Sequence, residues 1–373
     1  MTDLPEKYLS MPIDKKVGQM FMIGLPGEQL DESTYGLLVG MNPSGVCLFA
    51  RNTRDAKKTR MLLDSVRDAL LFEPFLSVDQ EGGLVDRLRR IIEPMPSAEE
   101  VSLKGTVEDV RTLARVTAEA IQLLGFNMNF APVVDVVTEE RASLDNGLIS
   151  RGFGRSAEDV VRLASVYLEE LQKGGVTGCV KHFPGLAAAE VDSHEELPEV
   201  SAPETTLEEI DFVPYNELLA DGLVKAVMTG HAAYPRTGFQ ETDEKGRPLP
   251  SSLSRSVVTG LLRSRFGFEG LSLTDDLEMG AIMRNYGIGE ACVLAVEAGH
   301  DLLLICNSTE TAQIGYRAVI GAVINGRISE DRLNVSLQHI SKARADLKAP
   351  VEFDQDRLEE LSEEVRQLKS RLA

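Results

Sequence analysis

The chain has 373 residues, 43% hydrophobic and 26% charged, ample for a globular protein with a large buried core. Its 59 acidic against 39 basic residues give a formal net charge of −20, which argues against nucleic acid as a partner, because neutralising phosphates needs clustered Lys and Arg. No apolar run approaches the roughly 20 residues that span a bilayer. The opening stretch MTDLPEKYLSMPIDKKVGQM also lacks the apolar segment of a signal peptide, so a cytoplasmic protein with no membrane partner is expected.

Eight short apolar runs recur along the chain, at 20–24, 45–50, 74–79, 129–136, 178–183, 226–231, 271–276 and 301–306. They are apolar nearly throughout rather than alternating, as strands buried on both faces of a parallel sheet are. Helical periodicity fills most of the intervals, at 55–72, 156–173, 206–221, 254–266 and 309–325. Repeated strand–helix units imply right-handed crossovers. Eight of them predict an α/β fold, a single (β/α)8 TIM-type barrel over residues 1–349 that need not be regular. An open doubly wound sheet is the alternative, but no GxGxxG or GxxxxGK[ST] loop follows any run.

After Pro350 the composition changes. Leu358, Leu361, Val365, Leu368 and Leu372 fall at 3-4-3-4 spacing, which predicts an amphipathic helical extension over 350–373. Such a helix packs on its own domain, giving a monomer, or joins two copies as a homodimer. Cys47, Cys179, Cys292 and Cys306 sit in apolar surroundings without a CxxC, and read as buried reduced thiols.

Several runs end in ionisable groups: Asp79, Asp135, Lys181 with His182, His231, and Asp275 with Asp276. In a barrel, strand C-termini form the mouth where substrates bind. Strand ends also open loops, so one such residue means little; carboxylates and histidines together mean more. Asp275 and Asp276 are adjacent on a strand and should point to opposite sides, one facing the mouth and one capping a helix that begins near Leu277. Asp192 and His194 are two apart, so in an extended loop the carboxylate can bond one imidazole nitrogen and raise the basicity of the other. Ser193 and Glu196 equally match a capping box, which would make this a helix start. In SVDQEGGLVDR, Asp79 ends a strand and Gly82–Gly83 permit a sharp turn with close ligand approach. Arg87, Arg151 and Lys181 are candidate donors to sugar hydroxyls.

With these residues laid out, the sequence resembles the family 3 glycoside hydrolases, and within them the bacterial β-N-acetylglucosaminidases of cell-wall recycling. The motifs KVGQMFMIG, GVCLFARN, SVDQEGG, NFAPVVDV, RGFG, KHFPG, DSH, MTGH and GLSLTDDLEMGAI carry the resemblance, to about residue 345. It implies that Asp275 is the catalytic nucleophile, His194 the acid/base and Asp192 the residue that orients it. It also implies that Asp79, Arg87, Arg151, Lys181 and His182 hold sugar hydroxyls; His231, at another strand end, is counted with them. The implied reaction is retaining hydrolysis of terminal N-acetylglucosamine from peptidoglycan-derived fragments, with no cofactor and no metal.

Two departures stand out. Leu186 and Ala187 replace the family's usual His-Gly after KHFPG, which predicts a stiffer or more helical loop. Leu84 replaces a common arginine. Alternatives are the same fold acting on another β-glycoside or by phosphorolysis, and a catalytically weak sugar-binding protein. A metal hydrolase using His182, His194, His231 and Asp275 is disfavoured, because HxH and HExxH spacings are missing.

Overall fold

The computed structural model describes residues 4–144, 146–193 and 196–373. Each of the eight apolar runs contributes one strand to a single ring. The first three are β1 (Phe21–Gly24), β2 (Gly45–Leu48) and β3 (Phe75–Val78). A small antiparallel hairpin outside the ring, β4 (Gln80–Gly82) and β5 (Val85–Asp86), follows β3. The ring continues with β6 (Met128–Asn129), β7 (Thr177–Phe183), β8 (Ala226–Thr229), β9 (Leu271–Asp276) and β10 (Leu302–Ile305). The eight pair in parallel in the order β1-β10-β9-β8-β7-β6-β3-β2, and the ring closes between β1 and β10.

The run at 129–136 is strand only at its start. Pro132 has no N–H to donate to a ladder, and beyond it only Val133 forms isolated bridges, to Lys181 and Gly152. The predicted helices appear at Ala56–Ala69, Ala157–Lys173, 204–220, Ser256–Arg265 and Thr309–Ile324. The segment at 204–220 includes a π-helical turn, Leu207–Asp211, and Ser256–Arg265 is wound in the same wide way. Helices Glu32–Met41, Val107–Leu124 and Ile288–Ala298 also lie outside the ring, and Glu330–Ala345 crosses its lower end. Thr106 and Asp109 form a capping box at the start of Val107–Leu124, and Gly125 (φ 94°) ends it.

The strands are apolar throughout because they serve two cores. Met22, Cys47, Phe75, Cys179, Met228, Leu273 and Leu304 fill the barrel. Their neighbours Phe21, Ile23, Val46, Leu76, Val180, Val227 and Leu303 pack under the helices. This period of two continues into the strand ends. Lys181 follows Cys179, and Asp275 follows Leu273, on the inward side. Tyr8, Leu337 and Ile340 plug the opposite end of the barrel.

Helix Gln355–Leu372 buries all five residues of its apolar stripe within the chain, against helices Val107–Leu124 and Ala98–Lys104. Ion pairs Arg357–Glu119 (2.6 Å), Lys369–Glu93 (2.6 Å) and Arg371–Asp109 (2.9 Å) flank it. The stripe that suggested a homodimer is therefore already covered by the chain itself. All four cysteines are buried and unpaired. Among the described residues no helix is long and apolar enough to cross a membrane.

Candidate active site

At the C-terminal ends of the strands the polar residues converge as parity requires. The Lys181 ammonium lies 2.5 Å from Asp79 and 2.7 Å from Glu81. Arg151 grips the same Glu81 carboxylate with two bonds, of 2.8 and 2.9 Å. A second guanidinium contact, at 3.4 Å, reaches His182 Nε2. His182 Nδ1 sits 2.7 Å from Asp135, whose carboxylate also accepts the backbone N–H groups of His182 (3.1 Å) and Leu186 (2.6 Å). Two acids thus alternate with two bases in one buried lattice, with an imidazole at its edge. The Lys181–His182 peptide bond is cis.

The electrostatics follow. Burial alone would raise the Glu81 carboxyl, but Arg151 and Lys181 outweigh it and hold the group well below the ordinary carboxylate range. Burial would likewise discharge Lys181; Asp79 and Glu81 instead raise its affinity for the proton. Glu81, Arg151 and Lys181 are therefore charged near neutral pH, and present paired donors and acceptors at the mouth.

Asp275 and Asp276 diverge as expected. Asp275 is pushed up by burial and drawn down more strongly by His182, His231, Lys181 and the N–H of Asp276 (2.8 Å), so it stays ionised. Asp276 turns away and accepts the N–H groups of Glu278 (3.0 Å) and Cys306 (3.2 Å). It caps a turn rather than a helix at Leu277, because the next helix starts only at Gly280. Burial, Glu278 and Asp275 raise its carboxyl to about 7.

His231, counted with the sugar contacts, is held at the strand end that bears Asp275. Its Nδ1 meets Ser252 Oγ (2.6 Å), and its Nε2 meets the Asp276 carbonyl (3.0 Å). A carbonyl only accepts, so Nε2 carries a hydrogen, and the ring braces the strand end that bears Asp275. Arg87 also stands apart from the lattice. Its guanidinium lies over the Phe49 ring, 5.6 Å from the centroid, and its buried Nε has no hydrogen-bond partner among the described residues. Gly82 and Gly83 (φ 93° and 57°) do allow a close approach, but to the chain's own Pro96 and Ser97.

Asp192 is half-buried beside Gly147, and His194 lies outside the described residues. Ser193 is buried in a turn, and its carbonyl accepts the Ala281 N–H (3.2 Å). The next helix begins at Glu204, so Ser193 does not start one. The loop between KHFPG and DSH is not helical either. Leu186, Ala187 and Ala189 are buried, Ala189 bridges Val200, and Asn146 clamps the carbonyls of Ala187 (3.0 Å) and Ala189 (2.9 Å). The residues standing for the family's His-Gly have become core. Sequence reasoning passed over Glu81, and put Asp135 at a strand end without giving it a role. Glu81 stood two residues after Asp79, and Asp135 closed an apolar run, so both signals were present.

Among the described residues no three of His, Cys, Asp and Glu converge as a metal site would. Comparison with known proteins gives a consistent picture. The family model described as "Glycosyl hydrolase family 3 N terminal domain" matches residues 12–343. A beta-hexosaminidase of Psychromonas ingrahamii is 31% identical over 296 residues, covering 78% of this chain and 83% of its own. A family 3 beta-N-acetylglucosaminidase structure from Paenibacillus sp. str. FPU-7 is 32% identical, with a TM-score of 0.84 over 96% of this chain and 69% of that one. A family 3 glycosyl hydrolase structure from Mycobacterium smegmatis is 31% identical, with a TM-score of 0.79 over 91% of this chain and 99% of that one. A parallel barrel whose mouth holds an ionised Asp275 beside a lattice of acids and bases, with this match along most of its length, places the chain in family 3 of the glycosyl hydrolases.

Proposed function

We propose that the chain is a retaining β-N-acetylhexosaminidase that removes terminal N-acetylglucosamine from peptidoglycan-derived fragments. The observation that carries this reading is Asp275: an inward carboxylate at the barrel mouth, kept ionised by three surrounding basic groups despite its burial. Asp275 attacks the anomeric carbon while His194, oriented by Asp192, protonates the leaving oxygen. In the second step His194 takes a proton from water, which attacks the same carbon and releases Asp275. Two inversions give net retention. Asp79, Lys181, Arg151 and His182 hold the sugar hydroxyls with donors and acceptors already paired and oriented, so little reorganisation accompanies binding. Arg87, with its unused Nε, supplies a further donor, and His231 acts through the Asp275 strand end. Residues 1–349 form the catalytic barrel and 350–373 a helical extension. The buried, unpaired cysteines support a reducing, cytoplasmic setting.

The test uses a slow fluorosugar donor on the full chain. Mass spectrometry of the digested protein should find the sugar esterified to Asp275. Asp275→Ala should lose at least a thousandfold in kcat, and His194→Gly should be rescued by azide on an activated substrate. Normal turnover by Asp275→Ala would remove the nucleophile assignment. Incubation with an N-acetylglucosaminyl–anhydromuramyl fragment should give free N-acetylglucosamine; sugar 1-phosphate formed only in phosphate buffer would make the enzyme a phosphorylase instead.

A further inference from the structure

The loops that wall the mouth carry four exposed apolar side chains. Leu84 tips the β4–β5 hairpin, Ile149 lies just before Arg151, Val191 directly precedes Asp192, and Met283 closes the short helix after Asp275. They are 74, 41, 42 and 44% exposed. A single exposed apolar residue is ordinary on any protein surface. These four are not scattered: the loops of Ile149, Val191 and Met283 touch in series, and the Leu84 hairpin joins them through the 95–99 segment. The Gly83 N–H donates to the Met95 carbonyl (2.9 Å), and the Glu99 N–H donates to Ser150 (3.4 Å). At Gly147, a Cβ would lie 3.3 Å from the Asp192 carboxylate. The Ala281 N–H donates to Ser193 (3.2 Å), and Arg284 pairs with Glu196 (3.6 Å) across the same seam. Each of these loops also adjoins a polar residue of the site: Asp79 and Glu81, Arg151, Asp192, or Asp275.

The lattice below is polar and matched to hydroxyls, so this arc has no part in gripping the terminal sugar. We propose that Leu84, Ile149, Val191 and Met283 form an apolar collar that selects leaving groups with an apolar face over fully hydroxylated ones, with Leu84, the most exposed, as its main determinant. This rests on the hexosaminidase reading and names the substrate class on its leaving-group side. A hydrophobic wall discriminates by roughly 10- to 200-fold per well-placed methylene contact, and a half-open collar belongs at the low end of that range.

The experiment compares benzyl N-acetyl-β-glucosaminide with chitobiose, whose leaving groups are both alkyl alcohols but differ in polarity. The ratio of their kcat/KM values is measured for the parent chain, Leu84→Ser and Met283→Ser. Both substitutions are at the surface and leave the barrel core untouched. The expected result is a parent ratio favouring the benzyl compound that drops about tenfold in Leu84→Ser and by less in Met283→Ser. A ratio unchanged in both variants overturns the collar while leaving the hexosaminidase reading intact. The collar also falls if Leu84→Ser alters only oligomeric mass or binding to lipid vesicles, since the arc would then serve a second copy or a membrane. No turnover of either substrate by the parent overturns the hexosaminidase reading, and the collar with it.

Discussion

Asp275 and Asp276 are neighbours in sequence, yet their surroundings drive them in opposite directions. Asp275 is held below the ordinary range by the basic groups of the mouth, and Asp276 is raised to about 7 by burial and two nearby carboxylates. Below that pH Asp276 is neutral; above it a second negative charge appears beside the nucleophile, so activity should fall as pH rises through 7. Asp276→Asn keeps an oxygen to accept the Glu278 and Cys306 N–H groups and removes the titration. The variant should remain active and lose the decline that begins near pH 7. Stability should move in the same direction. A carboxyl whose folded value exceeds its ordinary 3.8 contributes stability that is complete below 3.8 and lost as pH rises through about 7. The melting difference between Asp276→Asn and the parent should therefore shift in favour of the variant over that interval. An unchanged pH–rate profile in Asp276→Asn would show that Asp276 does not titrate there. At this scale the sequence was legible where strand parity applied, as for Lys181 and Asp275. It marked His231 as a strand-end residue but not its bonds to Ser252 and the Asp276 carbonyl, which no local pattern announces.

Elements were legible according to how long and how periodic they are. Eight strand runs were visible because each is apolar on both faces. The β4–β5 hairpin was not, because strands of two or three residues hold no period. The alanine-rich loop misled for a related reason: helix propensity is weak beside tertiary contacts, and the Asn146 clamp with a buried Leu186 fixes a turn instead. The C-terminal helix was read correctly as amphipathic, and what its stripe faces came only from the fold. Leu361 is fully buried at the centre of that stripe. Leu361→Ala should cost about 2–5 kcal/mol, read as a lower denaturant midpoint. A cost below about 0.5 kcal/mol would mean that the helix is dispensable to the barrel.

The whole molecule is one closed ring whose mouth gathers residues from β3, β7 and β9 and the loops between them. The strand count and the absence of phosphate-loop motifs were enough to choose a barrel over an open sheet. The sequence left the site half-described because its lattice joins residues far apart in the chain. Glu81 gains its meaning only when Arg151 and Lys181 are brought beside it. Loss of the net acidic surface charge would not disturb this lattice, whose members are mutually neutralised and largely screened from salt by burial.

Closure between β1 and β10 has a consequence for synthesis. Phe21 pairs with Leu303, and Arg344 reaches back to bond the Tyr8 hydroxyl and the Glu73 carbonyl (2.8 Å) beneath the ring. A chain emerging from the ribosome therefore cannot close the ring before Leu303 and its neighbours are out. Long-range pairing of this kind is slow and exposes apolar surface while it waits. Truncations ending at His300 should remain protease-sensitive and bind chaperone, whereas those extended through Ala345 should acquire protection in one step. Gradual protection with increasing length would instead mean that the half-ring folds by itself.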